Sequence, residues 1–457
     1  MVMKKQKVVC DHDFYRKLFE IMIPLALQSF LLSAVSAVDT LMLGGLQQDL
    51  MSAVSLAAQI QIIYNNVIVF SVVSAAIILG VQYWGKGDTV TVNDVFCMSL
   101  RWIGLTSILF FVGCTVFPKY LMLFFTNEPG IVSIGIEYLK IVGWTYLIAG
   151  ISQCYLGLMK VAGKINTSVL ISLGVVIIKI VLNAVFIFGL FGTLEMGVKG
   201  VALAALLSRM IELVWSVGST YQKGFLHLDF KRFFHRNRWL AVDFRKCLLP
   251  LLGSFILWSV GSSSYTAIIG HMGGDATAAN SVAVMVRDLI CCLCNGIGSA
   301  AVILVGNELG AGNLAKGKGY GDRLVNLSFL CGCLSMTVIL TVLPIVMYFV
   351  SFTEQARYYL IGMMIITSVY MIARSVNAIL INGMFAAGGD TQFDAYCVVF
   401  CMWIVSIPLA FLGAFVFRWH VLVAFSCTCL EEIIKMPLVF RHYRKYKWVK
   451  DLTQKNA

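Results

Sequence analysis

The sequence predicts an all-α polytopic membrane protein, with 12 transmembrane helices in two pseudo-symmetric six-helix lobes. Three observations predict it. Of 457 residues, 59% are hydrophobic and 13% charged, with a mean hydropathy of +0.86. A soluble domain is nearer half apolar and a quarter charged. Second, twelve apolar runs long enough to span a bilayer alternate with polar turns. Third, the halves repeat at an offset of 226: Pro24 is answered by Pro250, Gly44 by Gly270, Asp49 by Asp275, Ala53 by Ala279, Gly80 by Gly306 and Gly163 by Gly389. Six spans per half make these parallel repeats about an axis along the membrane normal, a plan common in transporters with a substrate site between the halves.

The chain opens with a basic, polar tail over 1–17. The run that follows is span-length and has no small-residue cleavage motif, so it reads as a span and not as a signal peptide. The spans lie at 18–44, 52–80, 94–117, 131–158, 165–191 and 197–219, then 247–271, 277–306, 322–350, 357–385, 393–417 and 420–440. The N-lobe is therefore 18–219, a linker loop 220–246, the C-lobe 247–440 and a basic tail 441–457. Lysine and arginine crowd the two tails, the linker and alternate turns (Lys86, Lys160, Lys164, Lys316, Lys318), while the opposite turns hold only Lys119, Lys199, Arg357 and Arg418. The positive-inside rule puts both termini and the linker in the cytoplasm of a multi-pass cell-membrane protein. That pattern also accounts for the formal charge of +12, with no nucleic-acid partner.

Motifs for other chemistry fail. The 14 cysteines are scattered, mostly inside apolar runs, without zinc-finger spacing, and read as packing residues. Gly312–Lys318 mimics a phosphate-binding loop, but Gly319 stands where a serine or threonine should follow, and the stretch is a turn between apolar spans. No HExxH or GxSxG occurs, and the six histidines lie in tails, loops or span ends. An enzyme, a metal site and a cofactor are not expected.

Ionisable groups within spans are expensive and mark function by default. Asp39 stands near the far end of span 1, with Ser36 and Gln28 on its face. Lys179 and Asn183 lie one turn apart in span 5. Their equivalents in the second half are Tyr265, Val405 and Leu409, so the acid, base and amide belong to the first half alone. A buried lysine needs a counter-ion, and Asp39 is the expected one. The pair is either the ion-coupling site, with Asn183, or a static tie between spans 1 and 5. Gln28, Gln59, Tyr64, Asn65, Tyr265, Arg374 and Asn377 are candidates to line a substrate cavity. For the polar residues of span 2, interhelical hydrogen bonding is the alternative. Arg209 and Glu212 should pair locally. Arg287 and Asp288, being adjacent, should point apart and find different partners. Glu431, Glu432 and Lys435 are expected near the cytoplasmic end of span 12, where pairing and hydration suffice.

The stretches PLALQSFLLSAVSAVDTLMLG, LGVQYWGKGD, AAVILVGNELGAGNLAKGKGYG and NAILINGMFAAGGDT, in this order within a twelve-span repeat, resemble the multidrug and toxic compound extrusion (MATE) family over about 14–450. The resemblance implies a secondary antiporter exporting organic, often cationic, compounds against a proton or sodium gradient by alternating access of two lobes. By position, Asp39 matches the family's span-1 acid, Asn183 a span-5 Asp or Asn, and Lys179 a position often Asn. The lysine is a departure. Because it competes with a metal cation for one carboxylate, the expected coupling ion is H+, with Na+ the alternative. The acids that relatives carry in spans 7 and 10 fall on Phe255 and on the Arg374–Asn377 stretch. The expected partners are a small-molecule organic substrate and the lipid bilayer, with the protein a monomer. Two other functions stay open. One is a flippase for a lipid-linked sugar or other anionic lipid, with Arg374 and Lys179 clamping the anion. The other is a non-transporting sensor or scaffold.

Overall fold

A computed structural model describes residues 11–44, 48–188, 196–221, 232–234, 237–350 and 352–454, without the side chains of 11–12, 34–44, 48–49 and 51. The protein is all-α, as the sequence predicts, and among the described residues it forms twelve long helices and one short one. They are α1 (Asp11–Gly44), α2 (48–86), α3 (Thr89–Val116), α4 (Pro118–Phe125), α5 (Pro129–Val161), α6 (Ile165–Phe188) and α7 (Gly197–Thr220). The second half holds α8 (Arg238–Gly270), α9 (Gly274–Gly310), α10 (Leu314–Phe349), α11 (Glu354–Phe385), α12 (Gln392–Val416) and α13 (Val421–Tyr443). Nine described helices are long and apolar enough to cross a membrane on length and composition alone. α13 is a charged exception, since Glu431, Glu432 and Lys435 sit in its middle.

Local chemistry sets the ends. The Asp88 carboxylate accepts from the Thr91 amide at 2.9 Å and caps α3, and the Thr353 hydroxyl accepts from the Ala356 amide at 3.1 Å and caps α11. Pro118 and Pro129 open α4 and α5, where a missing N–H costs nothing. The internal repeat reappears in backbone geometry. Gly163 and Gly389, 226 apart, hold φ of 75° and 73°. The following amides bond back five residues, Lys164 to Met159 at 2.8 Å and Asp390 to Phe385 at 2.9 Å. Both are left-handed helix terminations of the same kind, which a residue with a Cβ adopts only under strain.

Two features depart from uniform spans. α4 is a short helix in what the sequence reads as a turn. It folds because Pro118 starts it and because Met122, fully buried, packs against Gly135 of α5. In addition, π-helical turns interrupt α2 at Ile63–Val69, α11 at Ala378–Phe385 and α12 at Val398–Ser406 and Leu412–Val416.

The helices group into two compact units. One comprises Phe30–Gly80 and Asp88–Ser259, the other Met1–Ser29, Val81–Gly87 and Val260–Ala457. In the first, α3 and α5 enclose Phe96, Ile103, Leu139 and Tyr146, all 1% exposed or less. Gly150 of α5 lets the Tyr64 hydroxyl and Ile103 come close. In the second, α9 is central. Gly298 and Ala301 admit Gly383 of α11, and Ile379, Leu380, Met384 and Phe385 are fully buried around that crossing.

Candidate functional site

The unit built on Phe30–Gly80 and Asp88–Ser259 carries the proposed coupling residues. α6 presents Lys179, half-buried, and one turn on Asn183, only 2% exposed. Asp39 lies on α1, but its side chain is outside the described residues, and so is its expected pairing with Lys179. Of the span-2 candidates, Gln59 is exposed, Asn65 half-buried and Tyr64 fully buried. Tyr64 is part of the core of this unit. Its hydroxyl donates to the Tyr146 carbonyl at 2.8 Å and is bonded to Ser107 Oγ at 2.6 Å, and its ring meets Tyr146 edge-on at 4.8 Å. The π-helical stretch begins one residue before Tyr64.

The same unit buries a carboxylate that sequence reasoning treats as merely local. Glu212 of α7 is 3% exposed. Arg209 Nη1 donates to its Oε2 at 2.7 Å, the local pair the spacing predicts. Two bonds from α5 complete the shell: Ser152 Oγ to Oε2 at 3.0 Å and Gln153 Nε2 to Oε1 at 3.0 Å. A charge taken out of water is tolerated only when so saturated. Gln153→Leu removes a bond to a charged group, and a loss of about 1.5–3 kcal/mol is expected. A lowered thermal midpoint of the purified protein would show it.

The other unit brings together Tyr265, Arg374 and Asn377, three of the cavity candidates, around two glutamates. Arg374 and Asn377 lie one turn apart on α11. Arg374 Nη1 donates to Glu432 Oε1 at 2.8 Å, and Asn377 Nδ2 donates to Glu432 Oε2 at 2.7 Å and to the Glu432 carbonyl at 2.8 Å. Lys435 Nζ stands 3.0 Å from Glu431 Oε1 and 3.5 Å from Glu432 Oε1. The Tyr265 hydroxyl, at the position equivalent to Asp39, donates to Glu431 Oε2 at 3.3 Å. Two acids and two bases thus balance. Gln28 of α1, in the same unit, is 7% exposed and is not part of this network's described bonds.

Two expectations are corrected here. Glu431, Glu432 and Lys435 are not at a hydrated helix end. They are 4%, 1% and 3% exposed, because α13 runs from Val421 to Tyr443 and they occupy its middle turns against α11. Arg287 and Asp288 do not seek different partners. The long arginine side chain curls back to its neighbour's carboxylate, with Nε–Oδ1 at 3.0 Å and Nη2–Oδ1 at 2.9 Å.

The two buried clusters share a plan. Lys435 stands 226 residues after Arg209, and each base pairs with a glutamate of its own helix. In each half a glutamate of the sixth long helix is also reached by side chains of the fourth. The signals available in the sequence were the i,i+4 spacing of Glu431 and Lys435, the i,i+3 spacing of Arg374 and Asn377, and the repeat offset applied to Arg209.

Comparison with known proteins agrees with this architecture. The MatE family model matches residues 24–185 and again 250–412. The chain belongs to the MatE family. The two MatE matches begin 226 residues apart, the offset read from the sequence. MatE proteins are membrane transporters, not enzymes. Among relatives, the chain is 23% identical over 443 residues to the uncharacterized transporter YisQ of Bacillus subtilis, covering 94% of each chain. It is 23% identical over 453 residues to the probable multidrug resistance protein NorM of Thermotoga maritima, covering 96% of this chain and 94% of NorM. Among solved structures, the bent form of the Vibrio cholerae MATE transporter VcmN superposes with a TM-score of 0.85 at 14% identity, covering 95% of this chain and 97% of VcmN. A MOP superfamily transporter from Pyrococcus furiosus superposes with a TM-score of 0.83 at 16% identity, covering 95% and 96%. These two show that the MatE fold is shared.

Proposed function

We propose that this MatE chain is a proton-coupled antiporter that exports organic compounds, cationic ones included, across the cytoplasmic membrane. The lobes 18–219 and 247–440, joined by the loop 220–246, alternate access around the bound compound, with both termini cytoplasmic and the chain acting as a monomer. Relatives named as probable multidrug resistance proteins support the substrate class. The observation that carries the ion choice is Lys179 half-buried one turn from Asn183, itself 2% exposed, in a stretch of α6 that is otherwise apolar over 173–188. An ammonium there competes with a metal cation for the Asp39 carboxylate, whereas a proton simply neutralises that carboxylate. In the proposed cycle an external proton reaches Asp39, its attraction to Lys179 weakens, α1 shifts and the substrate leaves outward. Return inward releases the proton.

The test is ethidium movement in vesicles under an imposed pH gradient and, separately, a sodium gradient, for wild type and Asp39→Asn. Export that follows the pH gradient, with none above control vesicles in the variant, is expected. Sodium-driven export that survives the substitution would move coupling elsewhere and discard the role given to Lys179. The flippase reading is weaker on a specific ground: Arg374, one arm of its anion clamp, is already neutralised by Glu432 at 2.8 Å.

A further inference from the structure

The residues after α13 form no helix, yet they are firmly anchored in their unit. Trp448 is fully buried. Its ring stacks on Tyr443 at 5.8 Å and 15°, and its Nε1 donates to the Tyr443 carbonyl at 3.4 Å. Two glycines, one in α10 and one in the turn after α11, clear its seat. A Cβ on Gly321 would stand 2.6 Å from the Trp448 ring, and one on Gly388 would overlap the Trp448 carbonyl. Tyr443 is bonded to Asp322, and His442 pairs with Asp390 at 2.6 Å, so the last turn of α13, from which the tail departs, is pinned to α10 and to the turn after α11.

From that anchor the tail reaches the last turns of α2. The tail supplies two of the three bonds of the buried Gln82 amide: Nε2 donates to the Lys450 carbonyl at 3.1 Å and Oε1 accepts from the Leu452 amide at 2.7 Å, while Nε2 also donates to the Ala387 carbonyl after α11 at 2.6 Å. Lys86 Nζ donates to the Thr453 carbonyl at 3.2 Å. On another side these turns cross the end of α9 at backbone contact, where a Cβ on Gly85 would overlap the Asn307 carbonyl and one on Gly310 the Gln82 carbonyl. α2 is also, with α1 and α8, one of three helices that change unit in mid-course. It counts with one unit through Gly80 and with the other over Val81–Gly87. A movement of the first unit as a body must therefore free residues 81–87 or bend α2 beside Gly80.

We propose that residues 445–453 are a releasable clasp on α2, which holds Gln82 and Lys86 against α9 and α11 and must let go once per transport cycle. The three bonds of the tail to α2 use main-chain groups of the tail, so on the tail's side they form and break without moving a side chain. A short run of turns seated by one tryptophan can release α2 while α13 stays folded. The inference rests on the chain being a transporter and not on its ion or substrate.

Hydrogen exchange of the full chain in lipid nanodiscs tests it, alongside a chain ending at Arg444 and the full-length Trp448→Ala variant. Exchange of amides 81–87 and 306–310 should quicken about tenfold or more in both variants, with 98–116 unchanged. Unchanged exchange at 81–87 in both would overturn the clasp. A second arm separates a clasp from a static brace and keeps the whole tail. Lys86→Cys and Thr453→Cys are combined in a Cys333→Ser background, Cys333 being the exposed cysteine among the described ones. Oxidation should stop ethidium export and dithiothreitol restore it. Full-rate export by the oxidised pair would make the tail a brace and refute its release. If the wild type moves no ethidium under either gradient, the proposed substrate class fails. Exchange of 81–87 in the cysteine pair then decides it: oxidation should slow that exchange if the tail lets go, and unchanged exchange would make the tail a brace.

Discussion

Glu432→Leu is expected to remove most of the folded protein. The carboxylate is the hub of its cluster, accepting from Arg374 and Asn377 and lying 3.5 Å from Lys435. Taking it away leaves two cations facing one remaining acid, with Lys435 only 3% exposed. Removing one partner of a buried ion pair typically costs about 3–5 kcal/mol, because the surviving charge has no compensation. Thermal unfolding in detergent, followed by intrinsic fluorescence, should show the midpoint collapse. Glu432→Gln keeps an acceptor for Asn377 and should lose less. Combining it with Arg374→Gln should recover part of that loss, since removing both charges is cheaper than stranding one. A leucine variant that melts like wild type would mean that water reaches the cluster and that its burial is not what stabilises it.

Gly310→Leu is expected to have the second largest effect. The new Cβ would land on the Gln82 carbonyl, and neither helix backbone can yield by changing a rotamer. Overpacking of this kind costs about 1–3 kcal/mol or more. Here it should also part α2 from α9, so exchange of 81–87 should rise together with the fall in melting temperature. Gly104→Leu is the control, because nothing stands within 4 Å of a Cβ there. Equal melting of the two variants would contradict the close crossing.

Hydropathy made the helices legible, since a membrane span must satisfy its backbone internally and be apolar over its length. The repeat offset was legible for a related reason. Turn glycines such as Gly163 and Gly389 need a left-handed backbone, so both halves keep them at the same place. The buried clusters were harder to read. Glu431, Glu432 and Lys435 looked hydrated because three charges in one window resemble a helix end. Nothing local says that α11 will present Arg374 and Asn377 to them. For Glu212, the partner at i−3 was visible, but Ser152 and Gln153 come from another helix some sixty residues away. Arg287 was misread because adjacency was taken to separate side chains, when an arginine is long enough to fold back on its neighbour. The tail's grip on Gln82 had no sequence signal, because it is made largely by main-chain groups.

The balance of the α11–α13 cluster has an electrical consequence. Moving one elementary charge across the full membrane potential involves about 2.3 kcal/mol per 100 mV. Arg374 and Lys435 against Glu431 and Glu432 sum to zero. A body that carries them together through the membrane field does no net work against it. Whatever voltage dependence transport shows must then come from charges other than these four, and this cluster is as much at ease in an energised membrane as in a de-energised one.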